Sequence, residues 1–189
     1  MDSVTLLGRV VRETQRVVDN ISEDQLGRPT LCEEWTVRDV LNHITGGATM
    51  FALSAEQGSV PDDRLGDLLT GDNLGDDFKR SFREASEHAL GAFQGPGVLD
   101  RIVKLPFGEM PAGIALDIAV FDVATHACDL ARATGQAITD DDLLQTALDM
   151  GRKLIGPEFR VPGVFAEERN VADTASLEDK LLAFAGRRV

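Results

Sequence analysis

AVFDVATHACDLARATG, residues Ala119–Gly135, carries an aspartate and a histidine four positions apart in an otherwise apolar run. From about Pro111 onward the chain is apolar almost all the way round a helix, and the final glycine is a typical C-cap. A helix that is apolar on every side packs at the centre of a domain rather than on its surface. The stretch therefore predicts a central helix with Asp122 and His126 on one face.

Five further segments have the periodicity of amphipathic helices. The first covers roughly residues 3 to 20, and the second runs from about Val37 to Glu56 behind a capping-box variant that begins at Thr36. The others are the phenylalanine-rich stretch from Phe78 to Phe93, TDDDLLQTALDMGRKLIG (139–156) and SLEDKLLAFAGRRV (176–189). Together they predict an all-α fold, built from four long helices with additional short helices, in a single domain spanning residues 1–189.

The connecting segments show no clear strand pattern. GSVPDDRLGDLLTGDNLGDD (58–77) is dense in glycine and aspartate, which predicts a long connection with one short turn of helix at most. VLDRIVKLPFG (98–108) is predicted to be a crossover, with a brief strand as the alternative, because one strand alone cannot form a sheet. Pro157 and Pro162 mark a loop before the last helix.

Composition excludes several classes of function. The 189 residues include 19 Lys and Arg against 32 Asp and Glu, a net charge of −13, without a basic stripe. Nucleic acids and anionic membrane surfaces are therefore poor partners. Two cysteines, an N-terminus unlike a secretory signal and the lack of an apolar run of about 20 residues predict a soluble, cytoplasmic protein.

The polar pair of the central helix suggests a metal site. On a helical wheel Asp122 and His126 are separated by about 40°, so both side chains emerge from the same apolar face. A buried carboxylate must be paired, protonated or bound to a cation, and a carboxylate and an imidazole one turn apart can share one metal ion. His43, on the second helix, is the natural third ligand. His88 is the competitor because Glu84 precedes it by four residues, but that pair is predicted to face solvent.

Other interpretations of these residues stay open at this stage. Asp122 and His126 can also form a simple ion pair that stabilises the helix. Cys128 is predicted to fill space in the core, and Cys32 is predicted to be structurally buried rather than nucleophilic. Asp129 either accepts a hydrogen bond from a ligand histidine or is solvated near the helix end.

Three motifs carry a resemblance to a known family. They are TLCEEWTVRDVLNHI (30–44), DVATHACDLARATGQ (122–136) and LLAFAGR (181–187). The chain resembles actinobacterial DinB-like proteins, the metal-binding proteins similar to the N-terminal domain of mycothiol-dependent maleylpyruvate isomerase. The resemblance implies a DinB/YfiT-like four-helix bundle that holds a divalent metal. By that resemblance the ligands are His43, Asp122 and His126, and the metal is zinc, with nickel, iron or manganese as alternatives.

The chain also departs from the family pattern. Asp122 stands where glutamate is commoner, Leu31 replaces a proline, and Ala127 and Cys128 replace a frequent Gly-Trp pair. The maleylpyruvate isomerases have an additional C-terminal domain, for which this chain is expected to be too short. The shorter Asp122 side chain is the departure most directly relevant to a metal.

The functional expectation is a metal-dependent thiol S-transferase, or a related enzyme, that acts on a small electrophile with mycothiol as its cosubstrate. No residue is assigned a catalytic role beyond the metal ligands. The alternatives are a non-catalytic metal- or ligand-binding protein and a bundle without metal that serves a structural role. A homodimer is compatible with each of these expectations.

Overall fold

The computed structural model describes residues 2–160 and 166–189, so Pro162 of the predicted loop lies outside the described residues. The helices are α1 (Ser3–Asp19), α2 (Val37–Gln57), α3 (Asp62–Thr70), α4 (Phe78–Phe93), α5 (Ala112–Thr134), α6 (Asp141–Leu154) and α7 (Leu177–Phe184). Two strands, β1 (Ile102–Leu105) and β2 (Gly108–Pro111), form an antiparallel hairpin. The predicted all-α fold class is confirmed.

Four long helices, α1, α2, α4 and α5, form the bundle. Helix α2 packs against α4 and α5, and α1 packs against α5 and α4. Helices α6 and α7 cover the other side of α5, where the ring of Phe121 meets that of Phe184 edge to face with centroids 5.9 Å apart. Helix α5 is therefore enclosed on several sides, as its apolar sequence predicted.

Local signals fix the ends of the two helices that carry the predicted ligands. At the start of α2, the amide of Thr36 donates to Asp39 over 2.8 Å, and the amide of Asp39 donates to the Thr36 hydroxyl over 3.3 Å. At the end of α5, Gly135 adopts a φ of 75°, a left-handed conformation that glycine reaches without strain. The capping box and the glycine cap predicted from the sequence are both confirmed.

In two connections the structure departs from the favoured prediction, and in the first of them it bears out the alternative of a brief strand. The segment predicted as a crossover contains the β1–β2 hairpin, in which Ile102 pairs with Pro111 and Leu105 pairs with Gly108. The hairpin is anchored to the bundle because the amide of Lys104 donates to the carbonyl of Gly58 over 2.7 Å. The glycine-rich connection contains the nine-residue helix α3, which buries Leu68. Tertiary contacts stabilise both elements against weak local propensity.

A close contact between α2 and α3 depends on Gly46. A side chain at this position would collide with the backbone carbonyl oxygen of Leu68 and would place its Cβ 2.6 Å from Nδ2 of Asn73. The neighbouring Gly47 has open space instead, with no atom within 4 Å of a Cβ built there. Asn42 strengthens the contact, since its side chain accepts from the amide of Asn73 over 2.7 Å. None of the helices in the described ranges is long and apolar enough to cross a lipid bilayer.

Candidate metal centre

The three predicted ligands lie together between α2 and α5. The ligand atoms of His43, Asp122 and His126 are all within 4.8 Å of one another. Nε2 of His43 is 3.4 Å from Oδ2 of Asp122, and Nε2 of His126 is 3.6 Å from Oδ1 of the same carboxylate. The fold thus brings a histidine from α2 to the carboxylate and the histidine that α5 presents one turn apart.

These separations suit a shared metal ion better than direct hydrogen bonds. Good N–H···O bonds measure about 2.7–3.2 Å, which is shorter than either separation between imidazole and carboxylate. Two ligands placed about 2.0–2.1 Å from a tetrahedral zinc ion are separated by roughly 3.4 Å. Two imidazole nitrogens and one carboxylate are also a donor set typical of zinc and other divalent transition metals. The residues therefore fit a metal in both chemistry and spacing.

The electrostatics keep the carboxylate ready to bind a cation. Burial alone would raise the pKa of Asp122, but the two imidazoles and Arg187 outweigh burial and hold it at about 2. Burial alone would lower the pKa of His43, yet the opposing Asp122 carboxylate moves it upward overall. Asp122 is thus ionised at neutral pH, with 26% of its side chain exposed. The side chain of His43 is 39% exposed, so solvent reaches the centre at His43 and Asp122.

His126 is fixed from behind by Asp129. The carboxylate of Asp129 is fully buried and lies 3.0 Å from Nδ1 of His126. Burial alone would raise the pKa of Asp129, but the hydrogen bond with His126 and the charge of Arg187 outweigh it, so the pKa is lowered. An ionised carboxylate only accepts, so Nδ1 of His126 carries the hydrogen and Nε2 is turned toward Asp122. Of the two roles considered for Asp129, the structure supports the acceptor and contradicts the solvated helix end.

Two residues of the centre were missed by sequence reasoning, although both stand in motifs quoted above. Trp35 covers the two histidines, with its ring centroid 4.9 Å from that of His43 and 5.6 Å from that of His126, nearly parallel to the latter at 22°. Arg187 donates to both oxygens of Asp129, over 3.3 Å from Nε and 2.9 Å from Nη2. Trp35 packs against one side of the two histidines, and Arg187 contacts Asp129 behind His126.

Cys32, predicted to be structurally buried, lies beside the candidate centre. It is half-buried, and its sulfur belongs to a second group of ligand atoms, with His126 and Asp129, that lie within 4.8 Å of one another. Burial raises the pKa of the Cys32 thiol to about 11, against the opposing charge of Arg187. The predicted core position of Cys128 is confirmed, since this thiol is completely buried and its pKa is also raised.

We expect both thiols of the native protein to react slowly with iodoacetamide at neutral pH. The thiolate is the nucleophile, and a pKa of about 11 leaves Cys32 almost entirely protonated near neutrality. The alkylation rate of Cys32, followed by mass spectrometry, should rise with pH up to about 11. Unfolding in urea should bring both cysteines to the rate of a free thiol. Rapid alkylation of native Cys32 at neutral pH would contradict the raised pKa.

His88 is separate from the centre. Its side chain is 42% exposed, as predicted, but its Nε2 lies 2.9 Å from Oε1 of Glu56 on α2 rather than near Glu84. The exposed pair forms an ordinary surface contact between α2 and α4. Of the three histidines in the chain, His43 and His126 are therefore the two that the fold brings together.

An open cleft of about 360 Å³ borders the candidate centre at His43. Apart from Trp35 and Leu69, the described residues that line it are polar or acidic. They are Glu34, Trp35, Asp39, Asn42, His43, Leu69 and Thr70. On the other side, Asp122 and Gly47 border an apolar cavity of about 20 Å³ inside the bundle. The cleft thus gives a small molecule access to His43, whereas the inner cavity has room for only about one water.

The sequence is similar to a known family and to two proteins of Mycobacterium tuberculosis. Residues 7–131 match the family described as the mycothiol maleylpyruvate isomerase N-terminal domain. Uncharacterized proteins from two strains of Mycobacterium tuberculosis are each 37% identical over 172 residues, which cover 90% of this chain and 89% of theirs.

Solved structures of mycothiol-dependent maleylpyruvate isomerase are similar in fold. The isomerase superposes with a TM-score of 0.62 and a histidine-to-alanine mutant of it with 0.63, both at 19% identity and over 78% of this chain. The match spans 65% of the isomerase chain, and at this identity it shows the fold alone. The helical bundle, the order of its motifs and the family match over more than half of the sequence lead to one conclusion: this chain belongs to the mycothiol maleylpyruvate isomerase N-terminal domain family.

Proposed function

We propose that this protein binds a divalent metal, preferably zinc, through His43, Asp122 and His126 and transfers a mycothiol-type thiol to a small electrophile. The observation that carries the proposal is the convergence of two imidazole nitrogens and an ionised carboxylate beside an open cleft. With three protein ligands, zinc would keep an open position where a thiol can bind and lose its proton more readily.

The protein's own residues would prepare this position in distinct ways. Asp129 holds the hydrogen of His126 on Nδ1, which leaves Nε2 available as a ligand atom. Trp35 packs against both imidazoles and limits the directions from which a substrate can arrive. The half-exposed His43 forms the border between the centre and the cleft.

The electrophile is proposed to differ from maleylpyruvate. None of the described residues that line the cleft is an arginine or a lysine, and Glu34 and Asp39 are acidic. A doubly charged carboxylate substrate would find no arginine or lysine among these lining residues to bind it. The same observation favours the second candidate function, a non-catalytic metal- or ligand-binding protein.

A thiol-transfer assay separates the two candidates. Zinc-loaded protein is mixed with mycothiol and monochlorobimane, whose carbon forms a bond to the thiol sulfur as chloride leaves and the thiol proton passes to water. We expect a rate at least ten times that of the His126→Ala variant, because this variant lacks one of the three proposed ligands and with it the contribution of the metal. The non-catalytic function would be favoured if the protein binds metal but its transfer rate does not exceed that of His126→Ala, with monochlorobimane or with other uncharged electrophiles. Lack of metal binding would contradict the proposed transferase and would leave only binding of a ligand without metal.

A further inference from the structure

The end of helix α7 is shaped so that one arginine reaches the metal centre. The amide of Gly186 donates to the carbonyl of Ala183, and the amide of Arg187 donates to the carbonyl of Leu182, both over 2.9 Å. These two bonds form a Schellman motif, with Gly186 in the left-handed conformation at a φ of 88°. A Cβ on Gly186 would lie 2.6 Å from that of Ala166, so both conformation and space favour glycine here.

The guanidinium of Arg187 is held at several points. Its Nη1 donates to the carbonyl of Ala185 over 2.9 Å, while Nε and Nη2 donate to the two oxygens of Asp129. The side chain of Arg187 is 11% exposed and that of Asp129 is fully buried. Such a desolvated ion pair adds little net stability compared with an apolar pair, so its presence suggests a role other than stability alone.

We propose that Arg187 is a positioning residue of the metal centre, which fixes the plane of the Asp129 carboxylate and thereby the orientation and tautomer of His126. The inference rests on the metal site proposed above. A carboxylate rotates easily about its last torsion, and a single hydrogen bond to His126 would leave that rotation free. The planar fork of an arginine holds both oxygens at once, whereas a lysine ammonium offers only a point charge.

This role explains why the LLAFAGR motif ends in Gly186 and Arg187, two residues that helical periodicity does not account for. The glycine supplies the turn and the arginine supplies the fork, while the apolar positions Leu181, Leu182 and Phe184 are buried against the bundle. Arg187 lies outside residues 7–131, which match the family, and 58 positions away from Asp129. The C-terminal segment thereby completes a centre whose ligands all come from earlier helices.

The test compares Arg187→Met with Arg187→Lys and with Arg188→Met as the matched control. Arg188 is the next residue, is 76% exposed and contacts Glu33 on the surface at 3.6 Å. The first measurement is the tautomer of His126 in metal-free protein, read from long-range ¹H–¹⁵N correlations at mildly alkaline pH. The second is the zinc dissociation constant, determined by competition with a chromophoric chelator. Circular dichroism shows whether each variant is folded.

We expect wild type and Arg188→Met to show His126 protonated on Nδ1, and Arg187→Met to show a mixture of tautomers. Zinc binding should weaken by about 10–100-fold in Arg187→Met, as is typical when the partner of a ligand histidine is disturbed, with an intermediate loss in Arg187→Lys. A folded Arg187→Met with the wild-type tautomer and zinc affinity would overturn the inference, even if it melted at a lower temperature. If Arg187→Met does not fold, an unchanged tautomer in Arg187→Lys would overturn it equally. If wild type binds no zinc, the proposed function fails, while the tautomer still decides the role of Arg187.

Discussion

Replacement of His126 by alanine is expected to reduce the bound metal of this protein from about one equivalent to less than a tenth. His126 is proposed to contribute one of three ligand atoms, and its side chain is 7% exposed, so water cannot easily take its place in the same geometry. Loss of a ligand should weaken zinc binding by more than the roughly 100-fold that follows from loss of a supporting residue. Elemental analysis of protein purified without a histidine tag measures the metal content directly.

The matched control for this experiment is His88→Ala. His88 is also a histidine near a carboxylate, but it is exposed and pairs with Glu56 on the surface, so its loss should leave the metal content unchanged. His43→Ala serves as a second test, because His43 is half-exposed and its removal disturbs the core less. If His126→Ala and His43→Ala both retain the metal of wild type, the ligand assignment is wrong. If His88→Ala alone loses metal, the site lies elsewhere.

Substitution of Gly46 by alanine should lower the free energy of unfolding by about 2 kcal/mol. The added methyl group would collide with the backbone carbonyl of Leu68, which cannot rotate away as the end of a flexible side chain could. Alanine is the better helix former by about 1 kcal/mol, but that gain is smaller than the cost of forcing α2 and α3 apart. Urea unfolding followed by circular dichroism gives the free energy for each variant.

Gly47→Ala is the control, since it places the same substitution one residue along the same helix. A Cβ at Gly47 meets no atom within 4 Å, so this variant should be stabilised by about 0.5–1 kcal/mol through the lower entropy of its unfolded chain. The melting temperatures of the two variants should therefore differ by roughly 5–12 °C. Equal stabilities would show that the contact between α2 and α3 tolerates a side chain.

The bundle and the grouping of the proposed ligands could be predicted because they depend on local regularities. Helical spacing places Asp122 and His126 on one face whatever the rest of the fold, and the apolar surroundings make α5 central. His43 stands on a second helix with its own capping signal. The structure brings the three together, and their assignment as metal ligands is a prediction that the substitutions above test.

The remaining parts of the site depend on contacts between distant segments, which spacing along the chain does not reveal. Arg187 meets Asp129 only because α7 docks against α5, and Trp35 covers the histidines only because its loop folds back over them. The full length of helix α3 and the pairing of β1 with β2 were missed for the same reason, since each is stabilised by the element it packs against.

The ion pair between Arg187 and Asp129 has a consequence for the order of events during synthesis. A chain leaves the ribosome from its N-terminus, so α5 emerges with Asp129 well before the guanidinium that it pairs with. A buried carboxylate without this partner is costly, so α5 should pack loosely until α7 docks. We therefore expect the proposed metal to bind as one of the last steps of maturation, after residue 187 has been made.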